Sequence, residues 1–463
     1  MFGAIDKLEE MKSKVNAVSP CFCMAKWMHV TIHLMTGHTH SCYLPATHKI
    51  PLDEIKDNPS ALHNTKYKKE QRKKMLKGER PAECGICWSI EDLPGNQVSD
   101  RHMRSVDSWT MPFFDKISKS TGDEDVNPSY VEVSFSSACN FKCSYCAPHV
   151  STSWMEEIRK QGPYPLSDNM SHQWLPWFEE NGLLPIDEDV NPYVDAFWKW
   201  WPDLVKDLMF FRITGGEPLL SRQTFKVMEW INEHSLPKLE LSINSNLGIP
   251  EKQFNKFLEL LKPMLEQKKV KDFILHTSID TYGAHAEYIR HGLNFKAFEA
   301  NLCRYLDENP TAPVAFMCTF NNLSVAGFHD FIDWVISLRK RYNNEQRSIL
   351  LDIPHLQGPL WLSARILPGE YHAIMQDHID YMKSRLDDGI LPAEVFKMER
   401  ILEWMKSPAE EAWLRTERKN FYLFFSEHDR RRGTDFLKTF PTMSQFWYDC
   451  KKLVLEEKLN SSR

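Results

Sequence analysis

The sequence predicts an α/β protein whose parallel sheet forms a partial (β/α)6 TIM-like barrel, with a small N-terminal cysteine-rich domain and a helical C-terminal region. From about Tyr130 onward, strand-like and helix-like segments alternate through six strands. Eight of the 11 cysteines lie between Cys21 and Cys146, in two groups. Residues 364–463 carry Leu, Glu, Lys, Met and aromatic residues at helical spacing. We therefore expect three segments, at 1–125, 126–363 and 364–463.

Composition narrows the class of protein before any motif is considered. A chain of 463 residues with a net charge of -6 is too acidic for nucleic-acid binding to be its main role. No apolar run approaches the ~20 residues needed to span a bilayer, and the charged segment MFGAIDKLEEMKSKV does not resemble a signal peptide. We expect a cytoplasmic protein with no membrane or nucleic-acid partner. Its cysteines then indicate metal or redox chemistry rather than disulfides.

The N-terminal segment contains the first cysteine group. A hairpin is predicted over residues 27–42, with its turn near Thr36 and Gly37, and a basic helix over residues 64–76. A CxxC pair follows this helix. Four thiolates from the hairpin and the CxxC pair are expected to form one metal site, which zinc or an iron-sulfur cluster would satisfy equally. These residues are Cys23, Cys42, Cys84 and Cys87.

The second cysteine group follows the first strand of the alternating region. Val131 to Phe135 alternates apolar and polar residues, which indicates a strand. The loop that leaves this strand carries Cys139, Cys143 and Cys146 in a CxxxCxxC array. A zinc knuckle would need a matching second half, and none follows Cys146. Three thiolates leave a four-iron cluster with one iron free to bind another ligand.

The remaining strands and helices place further polar residues at one edge of the sheet. In barrels of this kind the chemistry lies at the carboxyl ends of the strands. Gly215, Gly216 and Glu217 follow the second strand; the glycines allow close backbone approach and the carboxylate can receive an ammonium group. The candidate strands are 130–135, 208–213, 239–244, 273–279, 314–320 and 349–353, and the candidate helices are 222–233, 251–266, 295–309 and 327–342.

The CxxxCxxC array with Tyr145 before its last cysteine, followed one strand later by GGEP, resembles the radical S-adenosylmethionine (SAM) enzymes. The resemblance implies a 4Fe-4S cluster on Cys139, Cys143 and Cys146, with SAM bound at its open iron. It also implies contacts to the methionine part of SAM from Gly215, Gly216, Glu217 and Arg290, and contacts to the nucleoside from Tyr145, Asn244 and Ser278. Helix caps or surface ion pairs are the alternative roles for these polar residues.

The N-terminal segment resembles an auxiliary-cluster twitch domain of the SPASM-like type. The resemblance lies in the pattern RxxMLxGxRPxxCxxC, which starts at Arg72 and ends at Cys87, after the earlier cysteines at 23 and 42. It implies a second 4Fe-4S cluster on Cys23, Cys42, Cys84 and Cys87. A structural zinc site is the alternative, and Cys21 is a neighbouring thiol that is expected to be a bystander.

The resemblance implies reductive cleavage of SAM to a 5'-deoxyadenosyl radical, which abstracts hydrogen from a peptide or small-molecule substrate. With an auxiliary cluster as electron acceptor, the product is an oxidation or a new bond. One alternative is an epimerase with a cysteine hydrogen donor, for which Cys318 is the candidate. Another is a non-catalytic zinc or iron-sulfur binding protein. A flavodoxin or ferredoxin is the expected reducing partner.

Two further segments remain open from the sequence alone. Residues 150–206 form a long insertion after the first strand, rich in tryptophan, which favours packing over a lid above the substrate. The run Arg430-Arg431-Arg432 is predicted to lie on a solvated helix face.

Overall fold

A computed structural model describes residues 2–95, 97–167 and 173–461 of the chain. Residues 168–172 of the predicted insertion lie outside the described residues. Contacts between Cα atoms divide the chain into two compact units, each built from separate stretches of sequence. The first unit comprises Met1–Ser137, Pro185–Ile243 and Glu266–Phe273, and the second comprises Ala138–Leu184, Asn244–Leu265 and Ile274–Arg463. The predicted boundaries of the three segments stay predictions.

The described residues contain strands of two to ten residues. In chain order they are β1 His29–His33, β2 His38–His40, β3 His48–Lys49, β4 Tyr130–Ser134, β5 Lys142–Cys143, β6 Phe210–Thr214, β7 Leu236–Ser245, β8 Val270–Ser278, β9 Arg290–His291, β10 Val314–Met317 and β11 Ile349–Asp352.

Helices make up most of the remaining structure. They are α1 Phe2–Val18, α2 Ala25–Met28, α3 Leu52–Asp57, α4 Lys66–Leu76, α5 Gly85–Glu91, α6 Asp100–Ser105, α7 Phe114–Ile117, α8 Thr152–Gln161, α9 Leu175–Glu180, α10 Pro192–Leu204, α11 Arg222–His234, α12 Glu251–Glu266, α13 Gly283–Ile289, α14 Phe295–Glu308, α15 Phe328–Tyr342, α16 Glu370–Ser384, α17 Pro392–Lys406, α18 Glu411–Arg432, α19 Phe436–Thr439 and α20 Ser444–Ser461.

The first unit contains a sheet in the order β7-β6-β4-β1-β2-β3. The pairs β7-β6, β6-β4 and β4-β1 are parallel, whereas β1-β2 and β2-β3 are antiparallel. The predicted N-terminal hairpin is therefore present as β1 and β2, and its turn lies at the predicted place. The parallel register of β1 beside β4, from His29 opposite Tyr130 to His33 opposite Ser134, was not predicted.

The second unit contains the parallel strands β8, β10 and β11 and the antiparallel pair β5-β9. Residues 314–316 of β10 are all buried, as expected for a strand covered on both faces. Helix α12 buries Phe254, Phe257 and Leu258 along one stripe, which explains its amphipathic sequence. Residues beyond Ser363 form the predicted helical region, α16 to α20.

The predicted fold class is confirmed. All six strands and all four helices predicted for the alternating region are present, with boundaries shifted by a few residues at most. Within each unit most strand pairs are parallel, which is compatible with a partial barrel. Among the described helices, none combines the length and the apolar character needed to cross a membrane.

The basic helix α4 has a buried face that its sequence does not indicate. Arg72 is fully buried and donates hydrogen bonds to the backbone oxygen of Lys26 at 3.3 Å and to Asn64 Oδ1 at 2.9 Å. Its guanidinium also lies 6.0 Å from the centre of the Trp27 ring. Burial lowers the pKa of Arg72 to about 10, so the side chain remains charged at neutral pH. Arg72 therefore ties α4 to the segment that carries Lys26 and Trp27.

We predict that Arg72→Met destabilises the protein, because it leaves buried acceptors unpaired at about 1–3 kcal/mol each. The matched control is Lys73→Met on the same helix, where the lysine is partly exposed and pairs only with Glu70 and Asp123. Thermal unfolding monitored by circular dichroism should show a midpoint several degrees lower for Arg72→Met and little change for the control. Equal midpoints in the two variants would contradict the role given to Arg72.

Candidate metal centres

The cysteine loop of the second unit connects Ala138 to the start of α8. Burial raises the pKa of the Cys146 thiol, and the charges of Cys143 and Cys139 nearby raise it further. Each of these thiols thus lies within electrostatic reach of another, as a shared metal centre requires. The backbone N-H of Phe141 donates to Cys139 Sγ at 3.4 Å. Such N-H donors stabilise thiolates that bind iron-sulfur clusters.

The backbone around Cys143 is fixed by a short antiparallel pair. In the pair β5-β9, Lys142 lies opposite His291 and Cys143 opposite Arg290. The N-H of Ser144 donates to the carbonyl of Ile289 at 2.7 Å. The central cysteine therefore has a defined position relative to the segment that carries Arg290.

Helix α8 holds the loop from its other side. The indole Nε1 of Trp154 donates to the carbonyl of Cys143 at 2.8 Å. Ser151 caps α8 by accepting from the N-H of Trp154, and its own hydroxyl donates to the carbonyl of Phe141 at 2.9 Å. Gly292 has a φ of +112°, and a Cβ there would lie 2.9 Å from the Phe141 ring. Only glycine allows this approach.

Arg290 connects the loop to a buried carboxylate. Its Nη1 lies 3.7 Å from Cys143 Sγ, its Nη2 donates to Asp280 Oδ1 at 3.1 Å, and its Nε lies 2.8 Å from Asp280 Oδ2. Tyr145 donates its hydroxyl proton to Asp280 Oδ2 at 3.0 Å, and the Arg290 guanidinium lies 5.3 Å from the Tyr145 ring centre. The arginine lowers the pKa of the Cys143 thiol, opposing the effect of burial.

This arrangement brings together the predicted residues Cys143, Tyr145 and Arg290. It also shows that Asp280, which was not predicted as a site residue, already occupies the guanidinium fork of Arg290. Of the other predicted residues in this unit, Asn244 lies near the end of β7 and Ser278 is the last residue of β8; both are partly buried.

Helix α18, in the C-terminal region, supports the same loop. Arg432 is fully buried, donates to the carbonyl of Lys142 at 2.8 Å and pairs with the buried carboxylate of Glu157 at 3.3 Å. Lys142 and Tyr164 also bind Glu157, each at 2.6 Å. These partners lower the pKa of Glu157 to about 2, against the effect of burial. The prediction that Arg430 to Arg432 form a solvated face holds for Arg430 and is wrong for Arg431 and Arg432. The buried Arg431 side chain donates to the carbonyl of Gly162 at 2.9 Å, and the buried Arg432 side chain pairs with a buried carboxylate.

The GGEP segment lies in the first unit, at the carboxyl end of β6. Gly215 has a φ of +125°, and a Cβ there would lie 2.7 Å from the carbonyl oxygen of Ser136. The N-H of Gly216 donates to that carbonyl at 3.0 Å. Glu217 is buried, and its Oε1 accepts from the N-H of Leu219 at 3.0 Å. Glycine is therefore required at position 215 for close backbone packing, and the Glu217 carboxylate is held in a fixed direction.

The N-terminal cysteines form a second candidate centre. All four predicted ligands line one mostly apolar pocket, together with Met75 and Trp88. Burial, together with the charges of neighbouring cysteines in the pocket, raises the pKa of Cys23 to about 12 and that of Cys42 to about 11. The predicted ligands in this pocket are Cys23, Cys42, Cys84 and Cys87.

Cations surround this pocket. Lys26 is almost fully buried, forms an ion pair with Glu83 and lies near Cys84. Arg101 donates to the carbonyl of Phe22 at 2.8 Å and forms a close ion pair with Glu91. Positive charges of this kind offset the charge that four thiolates place on a metal centre.

Cys21 is separate from the ligand set. Its thiol donates to the carbonyl of Gly78 at 3.3 Å, whereas Cys23 lines the pocket. The arrangement agrees with the expectation that Cys21 is a bystander.

Both donor sets fit the metal groups that the sequence suggests. The first is a three-cysteine loop with a guanidinium and an N-H directed at its sulfurs, and the second is a pocket of four thiols with a buried lysine. In an α/β chain, the first arrangement is typical of radical SAM enzymes. The four-thiol pocket suits zinc and iron-sulfur clusters alike.

Three relatives share limited similarity with the chain. A GTP 3',8-cyclase from Campylobacter lari is 24% identical over 237 residues, which cover 50% of this chain and 58% of that protein. The enzymes of the same name from Nautilia profundicola and Sulfurovum sp. are 25% identical over 163 residues and 28% identical over 117 residues. These two matches cover 32% and 25% of this chain, and 41% and 26% of the relatives.

The similarity thus spans less than two thirds of each of these relatives. No protein-family model matches the chain, and no solved structure matches it significantly. GTP 3',8-cyclases are radical SAM enzymes, so the three matches agree with the resemblance of the CxxxCxxC and GGEP motifs to that superfamily.

Sequence reasoning missed the supporting residues of the cysteine loop. Asp280 directly follows the predicted strand that contains Ser278, and this position at a strand end was the available signal. Glu157 and Arg432 are separated by 275 residues, and no local pattern links them. Lys26 looked like an ordinary charged residue between two apolar ones.

We predict that Arg432→Met reduces the iron retained per chain, because it unpairs Glu157 and releases the carbonyl of Lys142. Arg430→Met is the matched control, since Arg430 is 61% exposed and pairs with Glu427. Iron and sulfide analysis after anaerobic reconstitution should show a loss only in the Arg432 variant, accompanied by a lower thermal midpoint. Full iron content in Arg432→Met would show that α18 does not support the loop.

Proposed function

We propose that the protein is a radical SAM enzyme that reductively cleaves SAM and abstracts hydrogen from a peptide or small-molecule substrate. The observation that carries the proposal is the set of contacts around Cys143, whose sulfur lies 3.7 Å from Arg290 in a loop that also contains Cys139 and Cys146. Three cysteine ligands leave one iron of a four-iron cluster with an open coordination position.

The chain's own residues position this chemistry. Cys139, Cys143 and Cys146 would hold the cluster. Arg290 lies 3.7 Å from the sulfur of Cys143 and would thereby tune the reduction potential. When bound, the cluster supplies one electron to SAM, which releases methionine and a 5'-deoxyadenosyl radical. Tyr145 is fixed by Asp280 and presents its ring beside Arg290.

The remaining proposed SAM contacts stand at strand ends. We assign the methionine amino group to Glu217, with Gly215 and Gly216 allowing close backbone approach. Asn244 and Ser278 are proposed nucleoside contacts. The guanidinium of Arg290 already binds Asp280. We therefore propose that Arg290 acts on SAM indirectly, by positioning the cluster and Tyr145. It would bind the carboxylate of SAM only if Asp280 shifts.

We further propose that the N-terminal pocket is a twitch-type site that holds a second 4Fe-4S cluster. Four thiols, a buried lysine and an apolar lining support this assignment. Cys23, Cys42, Cys84 and Cys87 would hold this cluster, which would supply an acceptor for the electron left on a substrate radical, so that the outcome would be an oxidation or a new bond. The reaction is then of the oxidoreductase or transferase type.

The substrate and the reducing partner belong to the same proposal. The name of the relatives makes GTP the first small molecule to test. We propose a cytoplasmic flavodoxin or ferredoxin as the reductant. The exposed lysines Lys66, Lys74 and Lys77 in and beside α4 offer a complementary face to such acidic proteins.

Epimerisation is a second candidate outcome, supported by Cys318. Its buried thiol donates to the carbonyl of Asp280 at 3.5 Å, so it lies beside the residue that binds Arg290 and Tyr145. Burial raises the pKa of Cys318, which keeps the thiol protonated, as hydrogen donation requires. Solvent deuterium incorporated into product, and lost in Cys318→Ala, would select this outcome.

We predict that Cys143→Ala abolishes formation of 5'-deoxyadenosine from SAM, because the cluster loses one of its ligands. Cys303→Ala is the control, since Cys303 lies in α14 outside both cysteine groups. Chromatography of reactions with dithionite and SAM measures the product, and circular dichroism checks the fold. Undiminished cleavage in a folded Cys143→Ala protein would refute the proposed function.

We predict that the double variant Cys23→Ser, Cys84→Ser lowers iron from about eight to about four atoms per chain. Because the three-cysteine loop is untouched, SAM cleavage under dithionite should persist. Metal analysis by mass spectrometry measures iron and zinc together. Loss of about one zinc with unchanged iron would instead make the N-terminal site a structural zinc site.

A further inference from the structure

Two histidines and an aspartate on helices α15 and α16 of the second unit lie close together. Potential ligand atoms of His329, Asp377 and His378 all lie within 4.8 Å of one another. His329 Nε2 is 3.3 Å from Asp377 Oδ2. None of these residues belongs to either cysteine centre, so the inference below is independent of the proposed function.

The orientation of His378 exposes a lone pair to this cluster. His378 is only 5% exposed, and its Nε2 lies 2.9 Å from the carbonyl oxygen of Val325. A carbonyl oxygen only accepts hydrogen bonds, so Nε2 carries the proton and Nδ1 carries the lone pair. Nδ1 is buried and has no hydrogen-bond partner. A buried polar atom without a partner needs an explanation, and a ligand is one.

The His329 ring is also held in place. The Tyr381 ring stacks on it with centroids 4.1 Å apart, and the Tyr381 hydroxyl donates to Asp333 at 2.5 Å. The His378 ring meets the His329 ring edge-on, at 4.8 Å between centroids. Both imidazoles are therefore oriented by contacts other than the aspartate.

We propose that His329, Asp377 and His378 form a binding site for a divalent transition-metal ion of the zinc class. Two neutral imidazoles and one carboxylate are a preferred donor set for such ions, and water can complete the coordination. The hydrogen bond from His378 Nε2 to Val325 is the outer-shell contact that fixes a metal-binding histidine. The ion would link the start of α15 to the middle of α16.

One side of the site is open to solvent. Asp377 is 71% exposed, which gives an ion an entry path from solvent.

The test compares zinc binding to the full-length, cluster-loaded protein and to Asp377→Ala, after removal of loosely bound metal with a chelator. Because Asp377 is mostly exposed, its replacement should not unfold the chain. His372→Ala is the matched control, a histidine on α16 outside the cluster. In equilibrium dialysis, Asp377→Ala should bind zinc at this site at least tenfold more weakly than the wild-type protein. At zinc concentrations that fill the wild-type site, the variant should therefore show one fewer occupied site per chain. His372→Ala should bind zinc as the wild-type protein does.

Zinc X-ray absorption separates this site from the cysteine centres. The site should contribute nitrogen and oxygen neighbours at about 2.0–2.1 Å, whereas thiolate sites show sulfur at about 2.3 Å. That light-atom shell should be present in the control and lost in Asp377→Ala. Equal zinc binding by the wild-type protein and Asp377→Ala, or bound zinc with sulfur neighbours alone, would overturn the proposal.

Discussion

The buried ion pair between Arg290 and Asp280 is the interaction on which the cysteine loop depends. Both side chains are excluded from water, so each needs the other to offset the loss of hydration. Asp280 also accepts from the Tyr145 hydroxyl and from the backbone N-H of Thr319 at 3.1 Å. Removing either charge would strand its partner, at a typical cost of about 3–5 kcal/mol.

The ion pair with Asp280 also holds the Arg290 guanidinium beside the sulfur of Cys143. Arg290 is held by Asp280, approaches Cys143 Sγ with Nη1 at 3.7 Å and lies 5.3 Å from the centre of the Tyr145 ring. A cation fixed beside a thiolate favours the charged form of the sulfur and shifts a cluster's reduction potential upward. The ion pair thus connects the stability of the loop with the chemistry proposed for it.

A second buried network anchors the other end of the loop. The carboxylate of Glu157 on α8 binds Lys142, Tyr164 and Arg432. The Arg432 guanidinium also lies 4.7 Å from the centre of the Trp154 ring. Trp154 donates to the carbonyl of Cys143. Helix α18 is therefore connected to the central cysteine through a single intervening residue, Trp154. The helical C-terminal region therefore has a direct part in shaping the site.

The sequence predicted the strands and helices well because their patterns are local. Helix α12 begins and ends where its apolar spacing indicated, and the hairpin β1-β2 follows from its turn residues. The parallel pairing of β1 with β4 joins positions about 100 residues apart, and no local pattern specifies it.

The candidate sites were predictable only where residue type fixes the chemistry. Cysteine spacing was sufficient to select both thiol groups, and the four N-terminal cysteines do share a pocket. The burial of Arg432, by contrast, depends on Glu157, which lies 275 residues away. A charge run looks the same in sequence whether its face meets solvent or a buried carboxylate.

Electron paramagnetic resonance of the dithionite-reduced protein, with and without SAM, tests the central claim most directly. The claim is that the loop of Cys139, Cys143 and Cys146 holds a cluster with one open iron. SAM should change the signal of the wild-type protein, and should leave unchanged any signal that remains in a triple alanine variant of these cysteines. A wild-type signal that is indifferent to saturating SAM, in protein with a full complement of iron, would contradict the account.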